Sequence, residues 1–271
     1  MTDVLPLTTP DVGRFITARP NLEAASQMAS ETGGPSSERV PRTRSVRLGA
    51  VLWIVGPIQF VIAMIVVQLA WTTPYSLANN VISDLGAAYC QTNVKEGLYV
   101  CSPWHIAFDL SAVVFGLLIL GGSLAVSSAF PSRPSASGGL ACLGLLGFGA
   151  ILAGAFPEDV PGVMHYLGSI LGLVGGGVGI LLLGTSMIRD VRWVRYRAYS
   201  ITSGLLVLGA AIVELAGPPY GPLGFGGMER LALASILLWF VVAGGRLVRL
   251  TADVYPQRTG GNDIARSVER I

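Results

Sequence analysis

Apolar residues along this chain gather into six long runs, 48–71, 103–127, 138–156, 163–188, 199–217 and 228–250, separated by polar or glycine- and proline-rich connections. At about 1.5 Å of rise per residue, each run can cross roughly 30 Å of hydrocarbon as an α-helix. The pattern predicts an all-α fold, a polytopic membrane bundle of six transmembrane helices occupying 47–250. Residues 1–46 depart from it. They are rich in Ser, Thr, Pro, Glu and Arg without a sustained apolar period, and such a segment buries too little surface to offset chain entropy. It reads as a disordered cytoplasmic tail, and 251–271 as a second, similarly loose one. The first apolar run lies too deep in the chain, and is too long, for a signal peptide.

Composition agrees with this reading. The chain is 52% hydrophobic and 13% charged, where a soluble domain carries about 25% charged residues. Its orientation follows from 17 arginines and a single lysine. Arg39, Arg42, Arg44 and Arg47 precede the first span, and Arg133 lies in the second connection. Arg189, Arg192, Arg195 and Arg197 crowd the fourth, and Arg246, Arg249 and Arg258 follow or close the last span. The first, third and fifth connections hold only Lys95. Positive charge stays inside, which predicts both termini in the cytoplasm of a multi-pass plasma-membrane protein. The partner implied is the lipid bilayer. No aromatic-interleaved basic surface suggests nucleic acid.

The first connection, 72–102, is the one long loop and is predicted to lie outside. Loops of this length are usually functional or disordered. It holds Cys90 and Cys101, and an oxidising outer compartment makes a disulfide between them the natural expectation. Cys142, within the third span, reads as a small packing residue. Gly56-Pro57 with Gln59 offers a place where span one could break. In span four Gly168, Gly172 and Gly176 recur every fourth residue, beside Gly175 and Gly179. Such a stripe lets a helix approach closely, either within the bundle or across a homo-oligomer seam.

On this topology every acid or histidine in or beside a span falls at the outer face: Asp84, His105, Asp109, Glu158, Asp159, His165, Glu214 and Glu229, with Arg230 the only arginine among them. Charge near hydrocarbon is costly, so these are the candidate site residues. His105 and Asp109, four apart, share one helix face, and Asp109 lies roughly 7–9 Å into its helix. Three readings compete. In the first, Arg230 pairs with Asp84, Asp109 or Glu214, the histidines bond loop carbonyls, and the network merely clamps the outer loop. In the second, His105, Asp109 and His165 hold a zinc ion. Asp84 or Glu214 then serves as fourth ligand or general base, and Ser83 as nucleophile. The spacing matches no His-Glu-x-x-His type of motif. In the third, Asp84, His105, Asp109, Asp159, His165, Glu214, Glu229 and Arg230 line a headgroup-level pocket that binds, hydrolyses or passes a lipidic or small polar ligand. Ion-coupled carriers usually place polar groups at the midplane, and here the midplanes lack acids, bases and histidines. Whether the chain is an enzyme stays open at this point.

The run Asn80-Val81-Ile82-Ser83-Asp84-Leu85-Gly86 after a first span resembles the signature of a prokaryotic six-span membrane family, domain of unknown function 998. Members also tend to show Phe-Pro-x-Asp followed by a histidine, and Gly-x-x-Glu-Arg entering the last span. The counterparts here are Phe156-Pro157-Glu158-Asp159 with His165, and Gly226-Gly227-Met228-Glu229-Arg230. The resemblance covers about residues 48–250. It implies a shared fold and a shared outer-face site and supplies no activity. The Cys90/Cys101 pair and the long amino-terminal tail fall outside the pattern.

Overall fold

The structure, a computed structural model, describes residues 39–92, 97–218 and 220–252. The disorder expected of 1–46 therefore concerns, for residues 1–38, a segment outside the described residues, as do 253–271 of the carboxy-terminal tail. Six helices are long and apolar enough to cross a membrane: α1 Arg39–Leu69, α2 His105–Ala125, α3 Pro134–Ala155, α4 Met164–Ser186, α5 Val194–Ala216 and α6 Gly224–Ala252. The protein is a multi-pass membrane protein built as an all-α bundle.

Four helices begin earlier than the apolar pattern places them, α5 by five residues at Val194. α1 starts at Arg39, inside the segment assigned to the tail. Once a long helix is nucleated, each further residue adds a hydrogen bond at small entropic cost. α3 starts with Pro134 in its first turn, where the missing N–H would have been unpaired anyway. α6 starts at Gly224, so part of the expected glycine loop is helical. α1 also runs unbroken through Pro57, against the expected break at Gly56-Pro57. Gln59 beside it is spent on α2: its Nε2 donates to the Ser111 carbonyl at 3.1 Å, and the Ser111 hydroxyl donates back to Oε1 at 2.9 Å.

Small residues set the packing. A Cβ on Gly122 of α2 would meet Trp53 of α1, and one on Gly244 of α6 would meet the Ala50 carbonyl of α1, so α1 lies between α2 and α6. The glycine stripe of α4 is consumed within the chain. Gly168, Gly175 and Gly179 abut α3 at Gly149, Cys142 and Gly139, and Gly176 abuts Ile236 of α6. The homo-oligomer seam expected there is therefore not free. Gly172 alone has open space beside it. Leu110, Leu117 and Leu124, spaced by seven on α2 and each more than half exposed, form the outward ridge that lipid solvates.

Trp53, Phe130, Trp193, Trp239 and Phe240 form a buried aromatic core towards the arginine-rich end, with Phe130 stacked on Trp193 at 4.9 Å and Trp53 edge-on to Phe240 at 5.1 Å. At the opposite end, the loop after α1 makes a short 3-10 turn, Ser83–Gly86, then an antiparallel pair, β1 Gln91–Thr92 with β2 Tyr99–Val100. The register sets Gln91 opposite Val100, and the next pair outward is Cys90 with Cys101. These two are disulfide-bonded, their Cα atoms 4.2 Å apart.

Candidate functional site

The loop is pinned to the helix ends by side chains that seek backbone. Arg230, in the second turn of α6, donates from Nη1 to the carbonyls of Leu77 (3.0 Å), Asn80 (2.6 Å) and Gly226 (2.9 Å), and from Nη2 to the Tyr75 hydroxyl. These are charge-assisted bonds, the stronger kind. Burial pushes the Tyr75 phenol up to about 12 against the opposing pull of Arg230, so it stays a neutral acceptor. A Cβ on Gly226 would overlap the Asn80 carbonyl oxygen, and glycine is what lets α6 come up to the loop backbone. Glu229 accepts the N–H of Ile82. Asp159 accepts those of Ala88 at 2.8 Å and Tyr89 at 2.6 Å, and the Ser102 hydroxyl closes onto the Leu85 carbonyl at 2.6 Å.

Asp84, in the 3-10 turn, is wholly buried at 0% exposure. Burial of a carboxylate requires partners. Asn80 Nδ2 donates to Oδ2 at 2.8 Å, while Oδ1 has no ordinary donor. Glu158, on the connection between α3 and α4, is within side-chain hydrogen-bonding reach of Asp84. Desolvation first, then Asp84, pushes Glu158 up to about 9, opposed by the Ser83 hydroxyl, which donates to Glu158 Oε2 at 2.5 Å. Glu158 is thus protonated at neutral pH.

Under this turn lies a cavity of about 120 Å³. Ser83, Asp109, Glu158, His165 and Glu229 line its polar end, and Phe60, Phe108, Phe115 and Ile236 its apolar end. A larger groove of about 520 Å³ shares Ser83, Glu158, His165, Ser169, Leu173 and Glu229 with it, and adds Asp159 and Glu214. Ile170 of α4 and Leu215 of α5, 45% and 67% exposed, stand in the groove wall. The groove therefore opens sideways between these two helices. His165 Nδ1 lies 2.9 Å from the Phe156 carbonyl and 3.1 Å from that of Ala153. A carbonyl only accepts, so Nδ1 carries the proton, and in the neutral ring Nε2 is left as an acceptor. Glu214 Oε1 is buried without a partner.

The placement differs from the sequence reading in several respects. Arg230 meets backbone carbonyls and Tyr75 rather than Asp84, Asp109 or Glu214. His105 Nδ1 and Asp109 Oδ2 pair at 3.5 Å, but His165 does not join them. Among the described residues no three His, Cys, Asp or Glu side chains are grouped to hold a metal ion. The residues His105, Asp109 and His165, read as a zinc set, are not grouped as one among the described residues. His105, Asp84 and Arg230 line neither cavity. The Ser83 hydroxyl, read as a nucleophile, donates its hydrogen bond to Glu158. Tyr75, Asn80, Ser102 and Ser169 escaped the sequence reading as site residues. Asn80 alone carried a signal, as the first residue of the quoted signature.

A family model described as "Protein of unknown function (DUF998)" matches residues 54–246. No curated protein and no solved structure matches the chain.

Proposed function

The chain belongs to the DUF998 family, whose description assigns no activity, and from the site itself we propose that it binds an amphiphile with a hydrogen-bond-donating head at the outer face of the plasma membrane. The arginine distribution supports an acidic end that faces outward. The observation that carries the reading is the adjacency of the two cavities: a carboxyl-lined chamber beneath the loop shares six lining residues with a groove whose wall carries exposed Ile170 of α4 and Leu215 of α5. The head enters the chamber and the tail stays between the helices. The chamber offers an acceptor in His165 Nε2, and the adjoining groove offers Glu214 Oε1, which has no partner among the described residues. The site's arginine is committed to the loop, so an amine or hydroxyl head fits and an anionic one is repelled.

Binding is favoured over hydrolysis for a chemical reason. A serine nucleophile needs a base near neutral pKa. Glu158, which accepts from the Ser83 hydroxyl, is pushed well above the usual carboxylate range by burial and by Asp84. A second reading, in which the polar network serves only to clamp the loop, is supported by the contacts of Arg230, Asp159 and Glu229 with loop backbone. The two use largely different side chains and separate experimentally.

Thermal melting of the purified chain in lipid nanodiscs, with a long-chain primary amine, an alkyl glycoside and an alkyl sulfate added in turn, tests the proposal. Stabilisation by the amine or the glycoside, absent with the sulfate and lost in Glu214→Gln and Gly172→Leu, is the expected result. No stabilisation by either donor head, with both variants melting like the parent, would leave the clamp as the account.

A further inference from the structure

At the other end of the bundle, a cavity of about 1260 Å³ opens between α2 and α3 beside the connection 126–133. Three features of it are independent of the acidic site. Arg133, at its mouth, stands at the start of α3. Asp190 is held by Arg192 at 2.7 Å and also feels the charge of Arg133, which itself makes no ion pair among the described residues. Ser123 of α2 lines the same cavity at 4% exposure, and its hydroxyl has no hydrogen-bond partner. A helical serine in apolar surroundings ordinarily bonds back to the carbonyl four residues earlier, as Ser235 does to Leu231 at 2.7 Å. Ser123 does not. Finally, the wall is apolar and lipid-facing: Leu124, Leu145 and Phe148 are 72%, 46% and 47% exposed, and Phe148 lies roughly 22 Å along α3 from Arg133 at 1.5 Å per residue.

A cation and a helix amino terminus at headgroup level, a buried hydroxyl wanting a partner below, and an apolar channel continuing into hydrocarbon together follow the outline of a phospholipid. We propose that this cavity holds a phosphate-bearing amphiphile. Arg133 and the start of α3 take the phosphate, where the free N–H groups and the dipole favour an anion. Ser123 donates to an ester oxygen, and an acyl chain lies along Leu145 and Phe148.

Native mass spectrometry of the delipidated full chain, titrated separately with phosphatidylglycerol, diacylglycerol and inorganic phosphate, tests this. Phosphatidylglycerol should form a one-to-one adduct that neither other probe matches. Arg133→Gln should weaken it about tenfold or more, the loss of one charge-assisted hydrogen bond. Ser123→Ala, which introduces no new volume, should weaken it less while leaving the melting temperature unchanged. Leu145→Trp should abolish the adduct by filling the channel. Glu214→Gln, in the acidic groove, should leave it intact, which separates this site from the one proposed above. Equal binding of diacylglycerol, or a phosphatidylglycerol adduct insensitive to Arg133→Gln and Leu145→Trp, would overturn the proposal. Binding of inorganic phosphate as tight as the lipid's would overturn the amphiphile in favour of a free anion.

Discussion

Arg230 donates a 2.6 Å hydrogen bond to the carbonyl of Asn80, 150 positions earlier in the chain. Asn80 in turn donates its side chain to buried Asp84. The last helix therefore fixes the first loop and, through it, the carboxyl pair at the roof of the cavity.

Arg230→Gln should destabilise the protein by about 2–3 kcal/mol, because carbonyls that accept from a charged donor are left short of partners. Arg230→Lys should restore only part of this, since an ammonium cannot span the same fork of acceptors. Melting in detergent, compared with Tyr75→Phe and the double variant, measures the coupling across the guanidinium–phenol contact. Full additivity of the two single effects would show that the contact contributes nothing.

Stability should fall with rising pH through Glu158. Its pKa is raised in the folded protein, from an ordinary 4.5 to about 9. The folded state thus binds the proton more tightly than the unfolded one. The sign follows: the contribution is fully present below about pH 4.5, declines above it and is gone once pH passes about 9. Glu158→Gln keeps a donor for Asp84 and an acceptor for Ser83. It should melt near the parent below about pH 4.5, increasingly above the parent as pH rises, and show a flatter dependence between about pH 5 and 9. An identical slope in parent and variant would assign the titration elsewhere.

Gly226→Ala and Gly172→Ala should behave oppositely. The first places a methyl group against the Asn80 carbonyl, which is held by Arg230 and cannot retreat, whereas the second has nothing within 4 Å. Overpacking of this kind costs about 1–3 kcal/mol. The first should lower the melting temperature clearly, and the second should be neutral for folding. Equal melting temperatures would mean that the loop shifts to accommodate the methyl.

The six spans were legible because the apolar runs are long and the breaks between them polar. The grouping at one end was legible because charge is expensive near hydrocarbon. The partners were not. Arg230 was expected on a carboxylate, yet its acceptors are backbone carbonyls, and sequence carries no signal for which carbonyls a loop turns inward. His105 and His165 were read as one ligand set because both open spans at the same face. Helix rotation decides otherwise, aiming His165 at the end of α3 and leaving His105 with Asp109 alone. The early start of α1 was hidden by its arginines, which weaken the apolar pattern without opposing a helix.

Reduction of Cys90–Cys101 should cost roughly 2–3 kcal/mol, as expected for closing a short loop. Mass spectrometry of non-reduced peptides, from cells alkylated before lysis, should recover the two cysteines linked. Recovery of both as alkylated thiols would show that the pair is open in the cell.

Orientation is testable with single cysteines at residues 95 and 193 in a cysteine-free background. An impermeant thiol reagent applied to intact cells should label the first and spare the second. The reverse pattern would place the acidic groove in the cytoplasm.

The carbonyls of Leu77 and Asn80 emerge from the ribosome about 150 residues before the guanidinium that satisfies them. Until α6 inserts, the first loop has only its contacts with Glu158 and Asp159 and its own internal bonds, and the segment from Leu77 to Ile82 lacks its anchors. A chain arrested before Arg230 should therefore display an unlocked loop to surveillance proteases however well its earlier helices are inserted. The contact doubles as a signal that the sixth span has been reached.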